Sequence, residues 1–291
     1  MTGHTDIRIG SMAPAKPEYL QQVVGHGFES FELNWWQHVN EPNLKKTAED
    51  CLRILDGTGA IVSSIGVYGN PLIDKKTAKD WARLIDACQY FKCNVVCGFA
   101  GRIVDKPVNE SMKAFKKVFA PLAKRAADKG VKIAFENCDM GGTWTHGDWN
   151  IAHAPNAWEM MFNEVPAKNV GLEWEPCHQM NSLVDPLPQL RKYVDRVFHV
   201  HGKDATINWE MLRTYGIRSG KPWVHHRTPG FGDTNWTDVI SILRMGKFQG
   251  SIDIEGWHDP VYRGDLEMTG QVHAMNYLKR CRGGEFVKNP K

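Results

Sequence analysis

CNVVCGFAG (93–101), VNESMKAFKKVFAPLAKRAADKG (108–130) and VKIAFENC (131–138) follow one another as strand, helix and strand. Both outer runs are short and almost continuously apolar, the pattern of strands covered on both faces. The middle run has helical periodicity and ends at a glycine. Two buried strands joined by a long helix are parallel neighbours, because the helix carries the chain back to its starting edge. Working outward, the same unit recurs. DIRIGSM (6–12), FESFELN (28–34) and IVSSIGVY (61–68) precede it; VGLEWE (170–175), VFHVHGK (197–203) and GSIDIEGW (250–257) follow it. Helical stretches separate these runs, among them EPNLKKTAEDCLRILDGTG, PNAWEMMFNEV and LEMTGQVHAMNYLKRC. Eight strand–helix units predict an α/β fold, a (β/α)8 TIM barrel, formed as one domain by residues 1–291. A doubly wound open sheet would need a Gly-rich phosphate loop after its first strand, and SMAPAKP is not one.

Composition narrows the function. Lys and Arg number 36 against 33 Asp and Glu, a formal charge of +3. That balance gives no electrostatic argument for nucleic acid or a membrane surface. No apolar run reaches the roughly 18 residues of a membrane span. MTGHTDIRIG does not read as a secretory signal. The seven cysteines are scattered, odd in number and unneeded as staples in so large a core. Reduced thiols in the cytoplasm are the expectation.

Two connections are too long to be plain turns: Asp139 to Ala154 and Asp204 to Asn235. Both follow the C-terminal ends of strands, where barrel enzymes build their sites. Four polar residues close later strands: Glu136, Glu175, His201 and Glu255. Side chains alternate along a strand, so Glu173 shares a face with Glu175, His199 with His201 and Asp253 with Glu255. If the last of each pair points inward, the four form one layer. Three carboxylates so close cannot all stay ionised without a cation. Oxygen-rich ligation with one imidazole suits one divalent metal, Mn²⁺ or Mg²⁺ first, with Co²⁺ or Zn²⁺ also compatible.

The segments IAFEN, EWEPCHQM, VFHVHGKD, RTPGFGDTNW and IDIEGW carry a resemblance to the xylose isomerase-like barrel superfamily, in its sugar phosphate isomerase/epimerase branch. The similarity runs through nearly the whole chain. It implies an acid three residues before a histidine after strand six, here Glu175 and His178. It also implies a strand-seven H-x-H-x-K-D, His199 to Asp204, with His201 on the metal, and a strand-eight acid, Glu255. The strand-six acid is commonly Asp in that family, so Glu173 and Glu175 stay alternatives here. The resemblance implies a metal-dependent isomerase or epimerase, with Glu136 and Glu255 as the pair that removes and returns a proton beside a metal-bound carbonyl. Cleavage of a 3-keto-glycoside by elimination is the alternative.

Loop residues are assigned with the same logic. His146 is a candidate general base, since imidazole titrates near neutrality. His178, Lys203 and Arg227 are candidate substrate contacts. So are Trp35 and Trp144, with Trp36 and Trp149 beside them, because aromatic faces stack on sugar C–H groups. His225 and His226 are candidates to support the ligands. Ketose 3-epimerases of this kind carry a second Glu where this chain has Gly142 and an Arg where it has Ile207. A larger keto-sugar or glycoside is therefore the expected small-molecule partner. Apurinic-site endonucleases share the barrel but need many histidine ligands and a basic DNA face, so no nucleic acid is expected. Related barrels often pair, so the resemblance admits a homodimer.

Overall fold

The structure, a computed structural model, describes residue 4 and residues 6–290. Eight strands close a barrel: β1 (Ile7–Pro14), β2 (Ser30–Trp36), β3 (Ile61–Tyr68), β4 (Val95–Gly98), β5 (Lys132–Glu136), β6 (Val170–Trp174), β7 (Val197–Gly202) and, last in the chain, β10 (Gly250–Ile254). Their order around the barrel follows the chain, and β10 pairs in parallel with β1 to close it. This is the expected (β/α)8 architecture.

Contact density divides the chain into two compact units. The larger holds Met12–Trp174 and Arg196–Val200. Its helices α2 (Leu44–Leu55), α3 (Lys75–Phe91) and α4 (Met112–Ala127) are amphipathic. In α2 the buried Leu44, Ala48, Cys51 and Leu55 recur at spacings of four and three, one stripe of a helix. Asn43 and Asp74 cap α2 and α3 by accepting from the Lys46 and Lys76 amides. Pro121 interrupts α4 on its exposed side, where water can take the freed carbonyl. Trp81, Phe115, Phe119 and Phe135 pack between α3, α4 and β5 with ring centroids 4.7–5.9 Å apart. Gly98 has φ 146°, and a Cβ there would lie 2.1 Å from the Val67 carbonyl oxygen. Only glycine lets β4 come that close to β3.

The other unit holds the residues before Met12, Glu175–Asp195 and everything from His201 on. Here the long connection after β7 is not a bare loop. It forms an antiparallel hairpin, β8 (Asp204–Ile207) with β9 (Val224–Arg227), and carries α8 (Trp209–Tyr215) between them. Strands of four residues are too short for their alternation to stand out in sequence. Asp204 pins the segment. Its carboxylate accepts from the Thr234 amide and hydroxyl, the Ala205 amide and the Trp236 indole. A short extra helix, α6 (Cys177–Asn181), also stands between β6 and the expected helix, α7 (Pro186–Tyr193). All seven cysteines are free thiols. Among the described residues no helix is long and apolar enough to cross a membrane.

Candidate metal centre

Glu175 follows β6 directly, His201 lies on β7 and Glu255 follows β10 directly. All three are buried. His201 Nδ1 is 3.4 Å from Glu255 Oε2, and Glu175 Oε1 is 3.1 Å from His178 Nε2. The Lys203 ammonium reaches this group as well. It is 2.7 Å from Glu255 Oε1, 3.4 Å from His178 Nε2 and 4.0 Å from Glu175 Oε2. Glu136 is the last residue of β5 and is 4% exposed. Glu136, Glu175, His201 and Glu255 each offer one ligand atom, and these atoms lie within 4.8 Å of one another. Glu175 is the member from β6; Glu173 belongs to a different group.

Charge decides what this arrangement can do. Burial pushes the Glu255 carboxyl up, but the Lys203 charge and hydrogen bonds from His201 and His258 outweigh it and hold the group well below the usual range. Glu255 is therefore ionised. Lys203 pairs with Glu255 and lies 4.0 Å from Glu175. A hard or borderline divalent cation matches the donor set, three carboxylate oxygens and one imidazole nitrogen.

Histidines surround the group. His178 meets His226 edge-on at 5.0 Å, and His226 meets His258 at 5.9 Å. Burial, then the charges of Lys203, His178 and His258, lower His226 to about 3, so at neutral pH it is an uncharged donor and acceptor. Strand parity on β9 turns His225 to the other face. Cys177, His178 and His226 also cluster, but burial pushes the Cys177 thiol well above its ordinary range, which disfavours a thiolate ligand. His258, a half-exposed residue 3.3 Å from Glu255, was not singled out in the sequence. It follows the strand-eight acid by three, the spacing that links Glu175 to His178.

Other expected residues sit elsewhere. His146 is 74% exposed and pairs with the equally exposed Asp105 at 3.1 Å; it joins none of the ligand groups. Trp35 was expected to contact substrate, but its ring packs edge-on against Phe91 of α3. Alternation along β2 sends Trp36 to the opposite face, where it is 58% exposed and lies 5.7 Å from the Trp149 ring. Trp144 is half-buried. Its carbonyl, with those of Thr143 and Lys106, accepts from the fully buried Arg102 guanidinium. That wrapping orders the loop after β5. Arg227 donates to Asp259 at 3.1 Å, and Asp259 also accepts from the Thr228, Val261 and Tyr262 amides. The geometry makes Arg227 a loop anchor.

A second buried group lies in the larger unit: Glu32, Cys97, Glu173 and His199, with Tyr68 among them. Burial, then the Glu173 and Glu32 charges, push the Tyr68 hydroxyl well above its ordinary range, so it stays a donor. In the sequence, Glu32 shows only as a charge within the apolar strand FESFELN.

Comparison with known proteins follows the same lines. Residues 20–281 match the family described as xylose isomerase-like TIM barrel. The chain is 27% identical over 165 residues to an inosose dehydratase of Clostridium botulinum (strain Alaska E43 / Type E3), an alignment covering 54% of this chain and 50% of that one. The chain spans about half the length of the curated relatives it matches. Among solved structures, a 3-keto-D-glucoside 4-epimerase from E. coli, in its apo form, superposes with a TM-score of 0.69 at 17% identity, covering 94% of this chain and 100% of the other. A xylose isomerase-like TIM barrel protein from Mycobacterium smegmatis, solved in complex with magnesium, gives 0.71 at 17% identity over 97% and 98%.

Proposed function

Since the chain belongs to the xylose isomerase-like TIM barrel family, we propose that it is a divalent-metal-dependent isomerase or epimerase of a carbonyl-bearing sugar or glycoside. The convergence of Glu136, Glu175, His201 and Glu255 carries this reading. These four side chains would hold the ion. When bound, a divalent cation supplies Lewis-acid polarisation of a substrate carbonyl and its neighbouring hydroxyl, which acidifies the C–H bond between them. Mn²⁺ or Mg²⁺ suits the oxygen-rich donor set best.

The chain's own groups do the rest. Glu136 and Glu255 are the carboxylates that take a proton from carbon and return it. Lys203, 2.7 Å from Glu255, keeps that carboxylate ionised and is a donor for a substrate oxygen. His178, between Glu175 and Lys203, and neutral His226 are placed to hydrogen-bond sugar hydroxyls. Trp36, one of the four tryptophans considered for this role, offers an exposed ring for a sugar face. His146 is left outside this scheme by its exposure.

Elimination is the second reading, favoured by the relatives named inosose dehydratase. It begins with the same proton removal and ends with loss of water or, from a 3-keto-glycoside, of the aglycone. Incubation with keto-sugars and 3-keto-glycosides in D₂O with added Mn²⁺ tests the proposal. Deuterium at carbon with a product of equal mass supports isomerisation or epimerisation. Loss of water or release of an aglycone selects elimination. No exchange with any carbonyl sugar by metal-loaded protein would sink both.

A further inference from the structure

A polar cluster is drawn from four strands of the larger unit: Glu32 on β2, Tyr68 on β3, Glu173 on β6 and His199 on β7. None is more than 3% exposed. The Tyr68 hydroxyl donates to Glu32 Oε1 and lies 2.8 Å from Glu173 Oε2. His199 Nδ1 lies 2.8 Å from Glu173 Oε1 and 3.3 Å from Glu32 Oε2. Both donors thus face both carboxylates, and the four side chains tie β2 and β3 to β6 and β7.

Stability alone does not account for this cluster. Barrels usually fill their interior with Val, Ile and Leu. Apolar residues of similar volume are often as stabilising as buried ionic groups, or more so. Three features link it to register instead. Glu173 and His199 are direct cross-strand partners. Between β6 and β7 the register shifts immediately before that pair, with Phe198 of β7 left over, and such irregularities re-aim the side chains beyond them. Glu173 stands two residues before Glu175, and His199 two before His201. Gly66 leaves the cluster its space, since a Cβ there would lie 3.0 Å from Tyr68 Cε2 and 3.1 Å from Glu32 Oε1.

We infer that Glu32, Tyr68, Glu173 and His199 are positioning residues that clamp β6 and β7 in the register from which Glu175 and His201 meet a metal ion. The inference rests on the metal-centre reading above. It assigns the cluster no contact with substrate or with the ion.

The test is Mn²⁺ binding by calorimetry to metal-free, full-length protein, with the visible spectrum of the Co²⁺ form as a report on ligand geometry. Tyr68→Phe keeps the ring and removes the shared donor. It should weaken Mn²⁺ about tenfold, and Glu173→Gln by about 10- to 100-fold, the range for partners that orient metal ligands. Both should shift the Co²⁺ bands. Gly66→Ala, which crowds the cluster without unpairing it, should weaken binding less. Thermal melts identify variants that fold; should Glu173→Gln fail to, Tyr68→Phe and Gly66→Ala decide. Variants that melt cooperatively, bind Mn²⁺ within about twofold of wild type and keep its Co²⁺ spectrum would overturn the inference. So would two bound ions per chain with one lost in Glu173→Gln, because the cluster would then be a ligand set itself. Wild-type protein that binds no Mn²⁺ overturns the metal reading as well; wild-type binding with unaffected variants overturns the positioning role alone.

Discussion

β6 with the residue after it, and β7, each carry two polar residues two apart in the chain, and the two tiers follow different rules. In the lower tier, Glu173 and His199 are met by Tyr68 and Glu32, and hydrogen-bond donors face every carboxylate of the group. In the upper tier, Glu175 and His201 are joined by Glu136 and Glu255, and the Lys203 ammonium pairs with Glu255. The residue types are nearly the same. The lower tier is tied together by side-chain hydrogen bonds from neighbouring strands, whereas the upper tier gathers four ligand atoms of the kind a divalent cation takes.

The contrast is broken most sharply at the proposed acid–base group. Glu255→Gln should lower deuterium exchange into substrate by about 1,000-fold, the middle of the range for removing a general base. Exchange at the wild-type rate would move the proton transfer elsewhere. Next comes Glu175→Ala, expected to weaken Mn²⁺ by at least about 100-fold, more than any change in the tier below. Were calorimetry to show Glu173→Ala as the more damaging of the two, the assignment of tiers would be inverted.

A smaller effect belongs to His226, which the folded chain holds at about 3 against an ordinary value of 6.5. Between those values the unfolded chain binds a proton that the folded chain refuses. Its contribution to stability is therefore complete above pH 6.5 and is lost as pH falls toward 3. Urea melts of metal-free protein from pH 7 to 4 should show this loss, and His226→Gln should make the slope shallower by up to one proton. An unchanged slope would remove His226 from the account. The least effect is expected at His146. His146→Ala should leave the exchange rate within about threefold of wild type, well below the loss a general base entails. A hundredfold loss would mean that the loop after β5 closes over substrate and delivers that imidazole.

Much of the architecture was legible because burial on both faces leaves a direct imprint. Runs such as VKIAFENC and VGLEWE are apolar up to the residue where the strand meets the loop, so both strand and rim position can be read. Glu136, Glu175, His201 and Glu255 stood out by that rule, and the structure brings them together. The hairpin of β8 and β9 was not legible, since four-residue strands show too little alternation. The surroundings of His146 and Trp35 were not legible for a related reason. Position in a loop or at a strand end does not say which way a ring turns, and Phe91 of α3 takes Trp35 while solvent takes His146.

The strand–helix alternation and the face shared by each pair of polar residues can be read along the chain, because periods of two and 3.6 are local. The fold alone selects the tier that is tied to β2 and β3. That choice depends on Tyr68 and Glu32 reaching β6 and β7 from more than 100 residues away in the chain, and no local period records such a contact.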